Sequence, residues 1–128
     1  METVGLEAGK TKPSKKYDLE DRTFDFAKNV RAFVRRVSRT IANIEDSKQV
    51  IRSSGSVGAN YIEANESIGK KDFLMRIRIC RKEAKETCYW LRLIEIADNP
   101  TLEKYRDELI REATELMNIF GAILRKSE

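Results

Sequence analysis

A chain of 128 residues fits one domain with a real core and is too short for several. Charged residues make up 36% and apolar residues 41%, with only 6 Gly and 2 Pro, which suits long helices and argues against a sandwich or barrel. The formal charge of +4 permits an anionic partner without demanding one, and the absence of histidine removes the commonest general base and metal ligand.

Residues 1–16 carry Gly5, Gly9, Pro13 and four lysines with almost nothing to bury. They read as a flexible basic tail ahead of a domain spanning 17–128. They also lack the apolar stretch of a signal peptide. No apolar run approaches the roughly 18 residues of a membrane span. The expectation is a cytoplasmic protein with no membrane partner.

A first helix is predicted from Asp18 to Val37. Leu19, Ala27 (or Phe26), Val30, Phe33 (with Val34) and Val37 recur at spacings of three and four, the mark of one buried face. Acids fill its first turn and Arg35, Arg36 and Arg39 its end, as the helix dipole favours.

A second helix is predicted from about Asn43, which forms a capping pair with Asp46, to about Glu66. Ile44, Ile51, Gly55, Gly58 and Ile62 make its seam, flanked by Val50, Val57, Tyr61 and Ala64. Two glycines inside a helix cost about 1 kcal/mol each relative to alanine. Either a neighbouring helix approaches closely there, or the helix is broken by a loop.

The third helix has the clearest pattern. Phe73, Ile77, Cys80, Ala84, Thr87, Leu91 and Ile94 alternate by four and three after a turn at Gly69. Asp72 is placed to pair with Arg76 one turn on. The fourth helix opens at Asn99-Pro100, an N-cap followed by proline at the first helical position. Leu102, Leu109, Leu116 and Ile123 then repeat every seven residues, with Tyr105, Ala113 and Phe120 on the other seam. Short connections between long helices make neighbours antiparallel. The fold class is therefore all-α, an up-down-up-down four-helix bundle.

Little in this set supports chemistry. Cys80 and Cys88 fall on one helix about 12 Å apart and cannot bridge, so they read as small hydrophobes of a reducing compartment. They do not make a zinc site. Gly55-Ser-Val-Gly58 is too short for a phosphate loop and lacks its lysine. Glu63 with Glu66, and Glu83 with Glu86, are spaced three apart, but arginines stand ready to pair with them. Antiparallel packing about a turn near Ile68 brings Arg52 level with Glu83 to Glu86 and Asn60 level with Arg76. A polar seam of Arg52, Asn60, Glu63, Arg76 and Glu83 is the expectation. No catalytic, cofactor or metal site is assigned, and the protein reads as non-enzymatic.

Beside its core seam the third helix carries a second apolar stripe of Met75, Ile79, Trp90, Leu93 and Ala97. One reading is fuller wrapping by the bundle itself. The other is contact with another subunit, since Trp and Met are enriched at interfaces. The second makes Met75, Ile79, Trp90 and Leu93 candidate oligomer contacts. The remaining face is basic: Arg78, Arg81, Lys82, Lys85 and Arg92, with Lys70 and Lys71 at the helix start and Lys15 and Lys16 available from the tail. A solvated face and a phosphate-contacting one both fit this pattern.

Three segments together, DLEDRTFDFAKNVRAFV, SKQVIRSSGSVGANYIEANES and KKDFLMRIRICRKEAKETCYWLRL, resemble the bacterial four-helix-bundle family of the 23S ribosomal RNA intervening-sequence protein, also called the S23 family. The resemblance runs from Tyr17 to Lys126 and is most specific in IRSSGSVGANYIEA and in the KEA and YWL blocks. Gly69 departs from the serine cap that many relatives would place there. The resemblance implies a homopentamer. It extends to the accessory variability protein of diversity-generating retroelements, a basic pentameric bundle that binds nucleic acid and partners a reverse transcriptase. The family name records where the reading frame was found and implies no ribosomal role. The expected function is thus a non-catalytic accessory protein that binds RNA or DNA as a pentamer. The alternative is a protein-interaction scaffold that binds no nucleic acid.

Overall fold

A computed structural model describes residues 18–127, which form four helices: α1 (Leu19–Val34), α2 (Ile41–Asn65), α3 (Lys70–Leu93) and α4 (Pro100–Ser127). The described residues contain no strand. The tail expected over residues 1–16, with Lys15 and Lys16, lies outside them. Hydrogen bonds between helices set the topology. Asn65 at the end of α2 reaches Glu20 at the start of α1, while Asn43 at the start of α2 reaches Glu95 beyond the end of α3. Arg22 bonds Glu112 whereas Asn29, seven residues on, accepts from Tyr105, seven residues back. Cys88 faces Ile110 and Thr114 while the later Ile94 accepts from the earlier Arg106. Each sequential pair, and α4 with α1, is therefore antiparallel. No helix among the described residues is long and apolar enough to cross a membrane.

The core is a single cluster in which Phe26, Val30, Phe33, Val50, Val57, Ile77, Leu91, Leu116 and Phe120 are fully buried. Each such side chain contributes about 1.5–3 kcal/mol on burial. Phe33 meets the Tyr105 ring edge-on at 5.5 Å, and Tyr61 tilts on Phe120 at 5.9 Å. On α3 the seam read from sequence is the buried one from Ile77 to Ile94, with Phe73 half-buried at its rim. On α4, Asn99 Oδ1 accepts from the Leu102 amide at 3.1 Å ahead of Pro100. Leu102, Leu109, Leu116, Ala113 and Phe120 are buried there, and Leu124 takes the last core position in place of Ile123.

Two boundaries differ from the sequence reading. Helix α1 stops at Val34, three residues before the predicted Val37, as the Arg36 amide turns back to the Phe33 carbonyl. Val37 still reaches the core from the turn that follows. Helix α2 begins at Ile41, capped by Thr40, whose hydroxyl accepts from the Asn43 amide at 3.0 Å. Asn43 is thus no cap. Its side chain is buried, with Nδ2 donating to the Ser38 and Glu95 carbonyls at 2.9 Å each and Oδ1 accepting from the Glu95 amide at 2.8 Å.

The buried face of α2 is also rotated by about one residue, roughly 100°, from the one predicted. Asn43, Ser47, Val50, Ser54, Val57 and Ala64 face inward with Ser53 beside them, and Ile62 is exposed. Small hydroxyls can take these positions because they bond locally. Ser54 donates to the Ile51 carbonyl, and Ser53 meets Thr87 at 2.8 Å across the α2–α3 seam. The helix is unbroken through both glycines. A Cβ on Gly58 would stand 2.9 Å from Thr23 Oγ1 and 3.6 Å from the Thr23 carbonyl carbon, so α1 does approach closely here.

Candidate functional site

Helix α3 carries eight basic and three acidic residues, a surplus that the other helices lack. Lys70, Lys71, Arg78, Arg81, Lys82, Lys85 and Arg92 are all exposed, and none pairs with a carboxylate among the described residues. The reason is geometric. Two of the three acids of α3 avoid this face: Glu83 and Glu86 lie toward α2, where Arg52 engages both. Core residues from Ile77 to Leu91 fix the rotation of the helix, and that rotation aims the lysines and arginines outward along the α4 side.

The proposed polar seam resolves into two separate contacts. Arg52 Nη1 lies 3.4 Å from Glu83 Oε1, an ion pair without an aligned hydrogen bond, and Arg52 Nη2 donates to Glu86. Arg76 Nη1 donates to Asn60 Oδ1 at 3.0 Å, and Asn60 Nδ2 binds the Ser56 carbonyl and hydroxyl. Arg76 therefore turns to α2 and not to Asp72. Glu63 is exposed and stands apart from both contacts, while Glu86, left out of the predicted seam, belongs to it. The hydroxyl pair Ser53–Thr87 lies deeper on the same seam; the sequence pattern puts Thr87 in the core and leaves Ser53 out of it.

The apolar stripe is uneven. Met75 and Leu93 are each 44% exposed, Ile79 is half-buried, and Ala97 lies beyond the helix in a turn with φ of 59°. Trp90 packs against the bundle's own core and stacks edge-on with exposed Tyr89 at 5.1 Å. Its indole N–H is buried without a hydrogen-bond acceptor.

Elsewhere the charged groups hold the bundle together. Arg22 donates from Nε and Nη2 to Glu112 at 2.7 and 2.8 Å, and from Nη2 to Glu115 at 2.7 Å. The Glu112 bond, reinforced by the charges of both glutamates, pushes the Arg22 pKa further upward against the opposing effect of burial. Burial pushes the Cys80 thiol up to about 12, so it is a poor nucleophile at neutral pH. No group of three His, Cys, Asp or Glu able to hold a metal occurs among the described residues. What the arrangement offers chemically is a row of cations that can contact phosphate oxygens.

One member of this surface was missed from sequence. Arg125 of α4 lies beside Arg81 above Gly121, and periodicity within α3 could not reveal it. The available signal was register: seven residues back along α3 from Cys88, and seven forward along α4 from its partner Thr114, bring Arg81 level with Gly121.

Comparison with known proteins agrees with this architecture. A solved structure, described as a protein of unknown function from the S23 ribosomal protein family of Bacteroides thetaiotaomicron, superimposes with a TM-score of 0.73 at 28% identity. The match covers 84% of this chain and 98% of that one. No curated protein matches the chain. The family model described as 23S rRNA-intervening sequence protein matches residues 15–122. The chain, a helical bundle whose third helix carries an exposed row of cations, belongs to the 23S rRNA-intervening sequence protein family.

Proposed function

We propose that this protein is a non-catalytic accessory factor of the cytoplasm that assembles with itself, as a pentamer, and binds RNA or DNA through the basic face of α3. The observation that carries the reading is the set of seven exposed cations between Lys70 and Arg92 that pair with no carboxylate among the described residues. Arginines with a structural task in this fold, Arg22 and Arg52, sit opposite glutamates. Repetition of one such face around a ring would turn a modest patch into a strong field for a polyanion.

The test is a salt-dependent titration with structured RNA and with duplex DNA. Changing Arg78, Arg81 and Lys85 together to Glu should abolish measurable binding. Milder neutral replacements at the same three positions should lower the salt slope by about 3 on duplex DNA. Unchanged binding by the charge-reversed variant would reject this surface.

Self-association draws on Met75 and Leu93, two large apolar side chains left in solvent along the border of the basic row. Light scattering of a Met75→Glu, Leu93→Glu variant should report a smaller assembly than the wild type. The exposed apolar residues also favour a second reading, a scaffold that docks another protein. Recovery of one protein partner after nuclease treatment, with no nucleic acid retained by the purified protein, would select it.

A further inference from the structure

Near the end of α4 two positive charges meet across a helix seam with no carboxylate of the described residues paired to either. A Cβ placed on Gly121 would stand 3.4 Å from Arg125 Nη1 and 3.7 Å from Arg81 Nε, so both guanidinium groups lie over the same bare stretch of backbone. Gly121 is buried beneath them. Neither arginine hydrogen-bonds or ion-pairs with any described residue. Among the described residues no Asp or Glu follows Glu115 on α4, Glu128 lying outside them, and Glu83 and Glu86 of α3 are engaged by Arg52 on the opposite side.

Like charges this close repel, and the repulsion is relieved when an anion sits between them. The dipole of α4 accounts for Arg125, which lies in its last turn, but not for Arg81, which lies in the middle of α3. Two planar guanidinium forks at this separation can both reach one tetrahedral anion, and guanidinium matches phosphate oxygens better than an ammonium does. The missing side chain at Gly121 gives the forks room to lie flat on the helix. Resting on the nucleic-acid reading above, we infer that Arg81 and Arg125 clamp one phosphodiester group of the bound strand, seated on the Gly121 backbone at the α3–α4 seam. Arg78 and Lys85, one turn to either side of Arg81, continue the strand's path along α3.

The experiment uses the full chain and a fluorescein-labelled single-stranded oligonucleotide, with inorganic phosphate as competitor. Arg125→Gln should weaken oligonucleotide binding about tenfold, the effect of losing one charge-assisted contact. Arg125→Lys should recover only part of that loss, because an ammonium restores the charge but not the fork. Gly121→Ala, whose Cβ meets only the ends of flexible side chains, should weaken binding while leaving the thermal midpoint at or above that of the wild type.

If Arg125→Gln and Gly121→Ala bind like wild type while the triple reversal of Arg78, Arg81 and Lys85 does not, the clamp is overturned and the nucleic-acid reading stands. If the triple reversal also binds like wild type, both fall. If inorganic phosphate shifts the Arg81 and Arg125 side-chain NMR signals but millimolar phosphate and the oligonucleotide do not compete, the ligand is a free anion and the strand clamp is overturned.

Discussion

Arg22 on α1 and Arg81 on α3 both stand at the edge of a helix–helix seam, yet what faces them differs in kind. Across the α1–α4 seam Arg22 meets Glu112 and Glu115 and spends its donors on both. Across the α3–α4 seam Arg81 meets a glycine and a second arginine. The first arrangement joins two helices and leaves little charge for a ligand. The second lays its stem on the neighbouring helix but leaves its charge unspent on any described carboxylate. A helix wheel treats the two arginines alike. The difference lies in the residue that the neighbouring helix brings opposite, so it is a property of register, and register is set by the core.

This contrast can be broken at several points. The largest effect should come from the satisfied side, at Asn43, whose buried amide makes three hydrogen bonds to the connections on either side of it. Asn43→Ala strands those backbone groups, and a loss of about 3 kcal/mol is expected from the urea midpoint at unchanged slope. A loss below about 0.5 kcal/mol, the level of an ordinary surface change, would mean that the polar junctions are decoration. Arg22→Gln should cost less, about 1–2 kcal/mol, because its pairs are only partly shielded from water, and the loss should shrink in high salt. The smallest effect belongs to the α3 face. Reversing Arg78, Arg81 and Lys85 should change stability by no more than about 0.5 kcal/mol, despite removing binding. A larger destabilisation would make these cations structural and erase the distinction.

How much of this was legible in the sequence depended on what each position had to do. The α3 seam was readable at nearly every residue because bulky apolar side chains at strict spacing leave one way to face a core. The Asn99-Pro100 start was readable because a cap and a fixed φ act locally. Helix α2 was misread by about one residue of rotation because its inner face is built largely from serines. Ser53 and Ser54 are buried by virtue of a partner on Thr87 and carbonyls in their own helix, which no hydrophobic pattern encodes. The same holds for Asn43, which looked like a cap because capping residues and buried amides share one chemistry. At the candidate site the cations of α3 were visible as a stripe, since they share one helix. Their lack of partners was not visible, nor was Arg125, since both depend on the neighbouring helix.

Asn43 also determines how the bundle can breathe. Its amide ties Ser38, in the crossing from α1 to α2, to Glu95, in the crossing from α3 to α4. Freeing either crossing strips partners from the other, so the two should open as one cooperative unit and share a single free energy of amide exchange. At the opposite end the described residues show a lighter tie, Asn65 donating to Glu20 between exposed side chains, while Ile68 is fully exposed and Gly69 has nothing within reach of an added Cβ. Amide exchange should therefore be faster at the α2–α3 turn, beside Lys70 and Lys71, at the same end of the bundle as Arg125.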